Sequence, residues 1–334
     1  MILKHKKNPL IFQGKKKDEK YFEGWYFKQV SSDLKNIVSI IPGISKGSED
    51  SHAFIQIIIS SKDVGNTILT TQYYKYSVED FQYTDEPFCL TIGKNSFSNK
   101  GIELNLNNSE YSINGSISFS EFTEINRNIF SPSAMGCFSY VPFMECNHDI
   151  ISMNHKLKGM LTVNNKLYNF MDGKGYIEKD WGTSFPEEYI WLQSNHFEDT
   201  DTSVMFSLAH IPFFGTSFKG FICNLTFEGH EYRFATYNNS KVVKVNYSGT
   251  LLELVIVKGE YELLIKAEAC QDTGELKAPS NGEMDNIIKE GLSGLANIKL
   301  SKESEILFEG KGNPCAIEII RSKNLWLYKF CYLL

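Results

Sequence analysis

Short stretches in which apolar and polar residues alternate follow one another along almost the whole chain. Alternation with a period of two is typical of β-strands that bury one face. Several links between these stretches have the residues of tight hairpin turns, namely Asn164-Asn165, Glu228-Gly229, Asn238-Asn239-Ser240 and Lys258-Gly259. Strands joined by hairpins build antiparallel barrels or sandwiches, so the sequence predicts an all-β fold.

Two connections are longer than a hairpin turn, one from Ser120 to Asn154 and one from Cys270 to Gly294. Long connections between strands are commonly lids or binding loops, so both are expected to lie near a site. The second also contains the best helix signal of the chain, because apolar residues share one face over 284–290 and Gly291 follows. A single short helix is therefore predicted there.

A length of 334 residues suffices for two domains, each with its own core. The break is placed just before the strand that begins at Tyr189, which gives domains of residues 1–186 and 187–334. Each half then has roughly ten strands, about the size of a lipocalin-like barrel. The net charge of -6 argues against nucleic acid as a partner, and the sequence does not indicate an oligomeric state.

Cysteine usage and the N-terminus bear on location. Seven scattered cysteines form no C-x-x-C pair, which favours reduced thiols in a cytoplasmic protein over a disulfide framework. No apolar run near the N-terminus is long enough for a signal peptide or a membrane span. The N-terminal lysines are Lys4, Lys6, Lys7, Lys15, Lys16 and Lys17. This cluster is interpreted as a solvated tail, with weak contact to an anionic membrane surface as the alternative.

The stretch from Gly173 to Phe197 combines more aromatic and charged residues than an ordinary strand or loop. Its second half alternates as a strand. Tyr189, Trp191, Gln193, Asn195 and Phe197 fall on one face. A face that mixes amides with aromatic rings suits a cavity wall, so these five residues are predicted to bind a substrate.

An earlier stretch, from Tyr21 to Val30, also sets a Tyr and a Glu ahead of a Trp and continues as an alternating strand. The two stretches are interpreted as equivalent strands that open two similar halves. Together they resemble the tocopherol cyclase family. The resemblance rests on Phe22 to Lys28, Glu178 to Gly182, Phe185-Pro186, the Trp191–Gln193–Asn195–Phe197 strand and Ala269 to Leu276. Asp180 stands where that family has Asn.

The resemblance implies a fold and a reaction. The fold is two lipocalin-like antiparallel β domains, with a site near their junction. The reaction is cyclisation, or isomerisation, of a prenylated or otherwise lipophilic small molecule, in which an alkene is protonated and an internal oxygen closes onto the cation. No cofactor is expected, and no metal signature is found. A carrier of a hydrophobic ligand and a related hydratase or lyase are the alternatives.

Two carboxylates are the candidate catalytic groups. Glu178 and Asp180 are two residues apart, so an extended segment places them on the same side, while Lys179 points the other way. Asp180 is predicted to be the general acid, with Glu178 as the alternative, because neighbouring rings would keep a carboxyl protonated. The competing structural interpretation pairs Glu178 with Lys179 and lets Asp180 cap the turn at Gly182.

The remaining candidates have supporting roles. Tyr176, Trp181 and His148 are predicted to contribute to substrate binding beside the carboxylates. Glu23, Trp25 and Tyr26 are assigned to a structural motif, in which Glu23 is a buried carboxylate hydrogen-bonded to backbone that closes the barrel, and the two rings pack.

Overall fold

A computed structural model describes residues 8–63, 66–142, 144–198, 201–213 and 215–321. Within these ranges the regular structure is strand, apart from four short 3-10 helices at Gly14–Lys16, Val78–Asp80, Gly136–Tyr140 and Thr236–Asn238. The all-β prediction is therefore confirmed. Lys4, Lys6 and Lys7 lie outside the described residues, whereas Lys15, Lys16 and Lys17 are exposed.

Twelve strands form the first antiparallel sheet, in the order β4-β3-β2-β1-β12-β10-β9-β8-β7-β6-β5, with β11 paired to β10. Their bounds are β1 Tyr21–Val30, β2 Asn36–Lys46, β3 Ser51–Asp63, β4 Asn66–Tyr76, β5 Phe81–Asp85, β6 Phe88–Ile92, β7 Asn95–Ser98, β8 Gly101–Asn107, β9 Ser112–Phe119, β10 Cys146–Val163, β11 Lys166–Asn169 and β12 Lys174–Gly182.

Ten strands form the second sheet, in the order β16-β15-β14-β13-β22-β21-β19-β18-β17, with β20 paired to β21. Their bounds are β13 Tyr189–Ser194, β14 Ser203–Phe213, β15 Thr216–Phe227, β16 His230–Ala235, β17 Lys241–Ser248, β18 Leu251–Lys258, β19 Tyr261–Glu268, β20 Gly274–Ser280, β21 Glu283–Lys302 and β22 Glu305–Ile320.

The two sheets repeat one strand order. In the first, β1 lies between β2 and β12; in the second, β13 lies between β14 and β22. Each of these central strands is followed along the chain by an antiparallel meander of three more strands. The predicted equivalence of the two strands, and of the halves that they open, is thus confirmed by topology.

The chain forms two compact units. The first comprises the chain up to Ala134, Val141–Phe185 and Gly274–Ile288; the second comprises Met135–Tyr140, Pro186–Thr273 and the chain from Lys289. The predicted break after residue 186 lies next to the junction at Phe185. Two short segments, Met135–Tyr140 and Gly274–Ile288, each belong to a different unit from the residues that flank them in sequence. Each unit buries its own apolar cluster.

Most strands form where the alternation of apolar and polar residues predicts them. In β8, Ile102, Leu104 and Leu106 are buried while the residues between them are exposed. The turn between β10 and β11 has Asn164 and Asn165 with φ of +45° and +65°, as a type I′ hairpin turn requires. Asparagine is one of the few residues that adopt this conformation readily.

Two local predictions are wrong. Residues 284–290 are not a helix, because they form the start of β21, which pairs with β20. Pairing with a neighbouring strand gives the backbone hydrogen-bond partners and overrides a weak helical pattern. The connection from Cys270 to Gly294 is accordingly mostly strand, and the connection from Ser120 ends at Cys146, where β10 begins.

In the described part of the chain, no helix is long and apolar enough to span a membrane. The six cysteines within the described ranges are present as thiols.

Candidate functional site

The strand β12 carries the two candidate carboxylates on one face. Glu178 and Asp180 lie on the same side of the strand, whereas Lys179 points to the opposite side and contacts Glu23. This is the arrangement that the sequence predicted from a spacing of two residues. The structural alternative, in which Glu178 pairs with Lys179, is wrong because the two side chains leave the strand on opposite faces.

His148 on β10 joins the two carboxylates. In the β10–β12 pairing, His148 lies directly opposite Asp180. Its Nδ1 atom is 2.9 Å from Oδ1 of Asp180, and its Nε2 atom is 3.6 Å from Oε2 of Glu178. One imidazole ring thus bridges two carboxylates, and all three side chains are largely shielded from solvent. We call these three residues the His–Glu–Asp cluster.

Phenol groups extend the cluster across the sheet. Tyr176 donates a hydrogen bond of 2.6 Å from its hydroxyl to Oε2 of Glu178. Tyr26 lies directly opposite Glu178 on β1, and its phenol oxygen accepts a 2.9 Å hydrogen bond from the hydroxyl of Ser39 on β2. Tyr26 is buried, as its structural assignment implies, and its hydroxyl lies on the polar face of the sheet. Ser39 was missed, because a serine in an apolar strand gives no signal in the sequence.

The charges of the cluster decide which group carries the proton. Burial alone lowers the pKa of His148, but the negative charges of Asp180 and Glu178 outweigh it and raise this pKa to about 9. His148 is therefore an imidazolium at neutral pH, with Nδ1 bonded to Asp180 and Nε2 3.6 Å from a carboxylate oxygen of Glu178. Burial and the charge of Glu178 also raise the pKa of Tyr176, so this phenol stays protonated.

This geometry changes the expected role of Asp180. A carboxyl group that accepts a hydrogen bond from an imidazolium acts as an anion, and Asp180 is held in that position. Nor does it cap the turn at Gly182. The acidic proton of the cluster is on His148, which the sequence suggested only as a binding residue. A signal that points to it is the Cys146–His148 spacing of two, typical of one strand face, although the sequence favours a loop over this segment.

The cluster also meets the distance requirement for a cation site. Each of its three side chains offers one possible ligand atom, and these three atoms lie within 4.8 Å of one another. In the described part of the chain, no other group of three or more His, Cys, Asp and Glu side chains meets this condition. The proton on His148 compensates one of the two carboxylate charges, so the cluster keeps a net negative charge of one when both carboxylates are ionised.

Backbone contacts fix β10 against β12 next to the cluster. Gly182, at the end of β12, lies so close to β10 that a Cβ atom there would be 2.0 Å from the carbonyl oxygen of Glu145. The same oxygen accepts a 2.7 Å hydrogen bond from the backbone N–H of Thr183. Close approach of the two backbones requires glycine at this position, and it holds His148 in register with Asp180.

Behind the cluster, the opposite face of β12 carries a buried ion pair. Nζ of Lys179 is 2.8 Å from Oε1 of Glu23, and both side chains are 0% exposed. The carboxylate of Glu23 also accepts hydrogen bonds from the backbone N–H groups of Gln13 and Gly14. Glu23 is thus a buried carboxylate bonded to the backbone, as predicted, and the backbone that it holds is the Gln13–Gly14 segment.

Trp25 and Trp181 flank the ammonium group of Lys179, with ring centroids 5.1 and 4.7 Å from Nζ. Trp25 is fully buried and donates from Nε1 to the carbonyl of Leu10, as its structural assignment implies. Trp181 packs on the same apolar core, on the side of β12 opposite the His–Glu–Asp cluster. The structure therefore does not bring Trp181 together with Glu178 and Asp180 as expected.

The other predicted binding residues lie in the second unit. On β13, Tyr189, Trp191 and Gln193 share the face opposite the apolar core, and Tyr189 donates a 2.7 Å hydrogen bond to Glu318 on β22. Gln193 and Asn195 are 0% and 1% exposed. Phe197 departs from the pattern: β13 ends at Ser194, so the alternation stops, and Phe197 packs into the core against Phe308.

Most of the chain matches a known protein family. The sequence pattern of the tocopherol cyclase-like family matches residues 67–320, well over half of the protein. The chain belongs to the tocopherol cyclase-like family. The resemblance noted from the motifs is confirmed, and the motif from Phe22 to Lys28 extends it beyond the matched range.

Solved structures share the fold at low sequence identity. CghA, solved with Sch210972, has a TM-score of 0.56 and 8% identity, over 90% of this chain and 89% of its own. Kievitone hydratase from Nectria haematococca has a TM-score of 0.52 and 11% identity, over 90% and 89%. An AttH-type protein from Nitrosomonas europaea has 0.50 and 11%, over 89% and 92%. These likenesses support the lipocalin-like, all-β fold expected for a tocopherol cyclase-like protein.

The pKa of His148 predicts a specific pH dependence of stability. Its pKa of about 9 in the folded protein lies above the ordinary histidine value of 6.5, so folding favours the protonated ring. This contribution is fully present below about pH 6.5 and is lost as the pH rises toward 9. It amounts to on the order of 3 kcal/mol. The free energy of unfolding of wild type and His148→Gln should therefore converge between about pH 6 and 9.5. A constant difference between the two proteins over this range would contradict the charged state of His148.

Proposed function

We propose that this protein is a cyclase or hydratase that transfers a proton from an O–H group to an alkene carbon of a lipophilic small molecule. The observation that carries the proposal is the His–Glu–Asp cluster. In it, Nε2 of a buried imidazolium lies 3.6 Å from a carboxylate oxygen of Glu178, while Nδ1 is fixed by Asp180. An acid and a base next to each other are what an addition across a double bond requires.

The steps balance within the cluster. Glu178 accepts the proton of the attacking hydroxyl, which is a phenol of the substrate in cyclisation and water in hydration. The oxygen forms a bond to one alkene carbon, and Nε2 of His148 delivers a proton to the other. The proton on Glu178 then passes to Nε2 across the 3.6 Å gap and restores the starting state. The net change is one proton moved from oxygen to carbon and one C–O bond formed.

Asp180 acts as a positioning residue in this scheme. Its bond to Nδ1 fixes the orientation of the ring and keeps the imidazolium charged. Tyr176 holds Oε2 of Glu178 in place from the other side. Tyr26, opposite Glu178 on the neighbouring strand, forms a hydroxyl pair with Ser39, and we assign this pair to binding the oxygen of the substrate.

The strength of the acid limits the substrate. An imidazolium with a pKa of about 9 is too weak to protonate an isolated alkene rapidly at neutral pH, but it can protonate a carbon that gains negative charge during the reaction. We therefore favour an alkene conjugated to an electron-withdrawing group, such as a carbonyl. Membership of the tocopherol cyclase-like family and the name of one structural neighbour, kievitone hydratase, support cyclisation and hydration as the two reaction types.

Isotopes test the proposal directly. The purified protein is incubated in D2O with a panel of prenylated phenols and quinols, with and without a conjugated carbonyl, and products are read by mass spectrometry and NMR. Turnover should place one deuterium on a former alkene carbon. A parallel reaction in H2(18)O separates the two types, because only hydration incorporates solvent oxygen. If ligands bind but no member of the panel is converted, the protein is a carrier and the proposal fails.

A further inference from the structure

A second group of reactive side chains lies on β3 and β4, apart from the His–Glu–Asp cluster. On β3 the residues with odd numbers, such as Ala53 and Ile55, fill the apolar core, so His52 and Phe54 occupy the other face. Tyr73 on β4 joins them there. Its phenol oxygen is 2.6 Å from Nε2 of His52, and its ring stacks on Phe54 with centroids 5.5 Å apart.

The second nitrogen of His52 defines the direction of the proton. Nδ1 lies 3.1 Å from the carbonyl oxygen of Asp50 and 3.4 Å from its carboxylate. Because both of these groups only accept hydrogen bonds, Nδ1 carries the hydrogen and Nε2 is the acceptor. The hydroxyl of Tyr73 therefore donates to His52. The hydrogen bond of Nδ1 is thus to the backbone carbonyl of Asp50, and the carboxylate of the same residue, which also pairs with Lys75, adds negative charge beside the ring. A hydroxyl that donates to an imidazole held at its other nitrogen is an arrangement in which a base can activate a nucleophile.

Burial keeps both members of this pair neutral, so the phenol loses its proton only as it attacks. Burial lowers the pKa of His52 and raises that of Tyr73, so at neutral pH the pair consists of a free base and a phenol. Nζ of Lys277 lies 4.6 Å from the ring centroid of Tyr73. The backbone of Lys277 is held by the side-chain amide of Gln56 through bonds of 2.7 and 3.2 Å. A cation over the ring stabilises negative charge that develops on the phenol oxygen.

We propose that Tyr73 is a nucleophile, activated by His52 and oriented through Asp50, that accepts an acyl group from activated esters. In this step the phenol oxygen forms a bond to the acyl carbon and the bond to the leaving alkoxide breaks. The phenol proton passes to Nε2 of His52 and then to the leaving group. Tyr73 is half-buried, and the step requires that a small ester reach its hydroxyl. This activity does not depend on the function proposed for the His–Glu–Asp cluster.

Tyr83 provides a matched control within the same protein. Its ring also has a lysine ammonium nearby, with Nζ of Lys15 at 5.1 Å from the centroid, and it is 37% exposed. In the described part of the chain, however, its hydroxyl has no histidine partner. Any general reactivity of phenols toward esters, or any effect of a nearby cation alone, will therefore appear equally at Tyr83.

The experiment uses p-nitrophenyl acetate with the full-length protein. Release of p-nitrophenol is followed by absorbance, and acetylated tyrosines are mapped by peptide mass spectrometry at several times. Acetylation of Tyr73 should be about 10²-fold or more faster than that of Tyr83, the lower range for a positioned general base. His52→Gln should bring the two rates together, and Tyr73→Phe should remove the fast phase while keeping the stacked ring on Phe54.

Two results would overturn the proposal. One is acetylation of Tyr73 no faster than that of Tyr83 in the wild type. The other is a fast rate that survives in His52→Gln, since the histidine would then be a structural partner only. Asp50→Asn offers a third measurement if His52→Gln fails to fold, and it should slow Tyr73 without affecting Tyr83.

Discussion

Replacing Glu178 by Gln, or His148 by Gln, should each lower turnover by about 10²–10⁴-fold, the usual contribution of a positioned acid or base. Glutamine at position 178 can still accept the hydrogen bond from Tyr176, but it cannot take a proton from the attacking hydroxyl. Glutamine at position 148 can still bond to Asp180, but it has no acidic proton. Initial rates on the best substrate from the isotope panel provide the measurement.

Asp180→Asn should behave differently from both. The amide oxygen still accepts the hydrogen bond from Nδ1 of His148, so the ring stays in place. Without the negative charge, however, the pKa of His148 falls. Turnover near pH 7 should then drop less than in Glu178→Gln, and the loss of activity on raising the pH should begin at a lower pH. The Asn that the family resemblance places here is consistent with a positioning role.

His155→Gln is the matched control for this series. His155 lies on the same strand as His148 and is more deeply buried, and burial lowers its pKa to about 3, so it remains neutral. Its turnover should stay near that of the wild type once thermal melting confirms folding. If Asp180→Asn loses as much activity as Glu178→Gln with an unshifted pH profile, Asp180 is the acid after all. If none of these variants changes the rate, the cluster is not the active site.

The sequence predicted what depends on local periodicity and could not predict what depends on pairing between distant strands. Placing Glu178 and Asp180 on one face needed only the two-residue period of β12. Finding their partner required knowing that β10 pairs with β12, with irregular register between Ile150 and His155. Nothing near His148 in the sequence encodes that pairing, so the residue that carries the proton was assigned only to binding.

The failures at Phe197 and at residues 284–290 have the same origin. The alternation of β13 continues in the sequence to Phe197, but the strand ends at Ser194, and the ring turns into the core formed with β22. At residues 284–290 the apolar residues have a helical spacing, which predicts a helix, but the segment is a strand because it pairs with β20. Tertiary contacts decided both cases, which is expected for segments whose local preference is weak.

Lys179→Met should destabilise the first unit by roughly 3–5 kcal/mol, because it leaves the carboxylate of Glu23 buried without its counter-charge. The backbone N–H groups of Gln13 and Gly14 and the hydroxyl of Tyr21 would still bond to that carboxylate, but they cannot neutralise it. Hydrogen exchange measured by mass spectrometry on β1 and β12 reports the loss in this unit, while β18 and β19 report the second unit separately.

The same lysine-to-methionine change at a partly exposed ion pair shows how much of the stability loss depends on burial of the pair. Lys15 pairs with Asp85 in the same unit, with both side chains 31% exposed, so Lys15→Met should cost less than about 1 kcal/mol. The double variant Glu23→Gln/Lys179→Met should lose less stability than the sum of its single changes, since each single change leaves a buried group without its partner. Additive losses would mean that the pair is not coupled. In that case the backbone hydrogen bonds of Glu23, rather than its charge, hold the Gln13–Gly14 segment on the sheet, and β12 is positioned for the His–Glu–Asp cluster by backbone pairing alone.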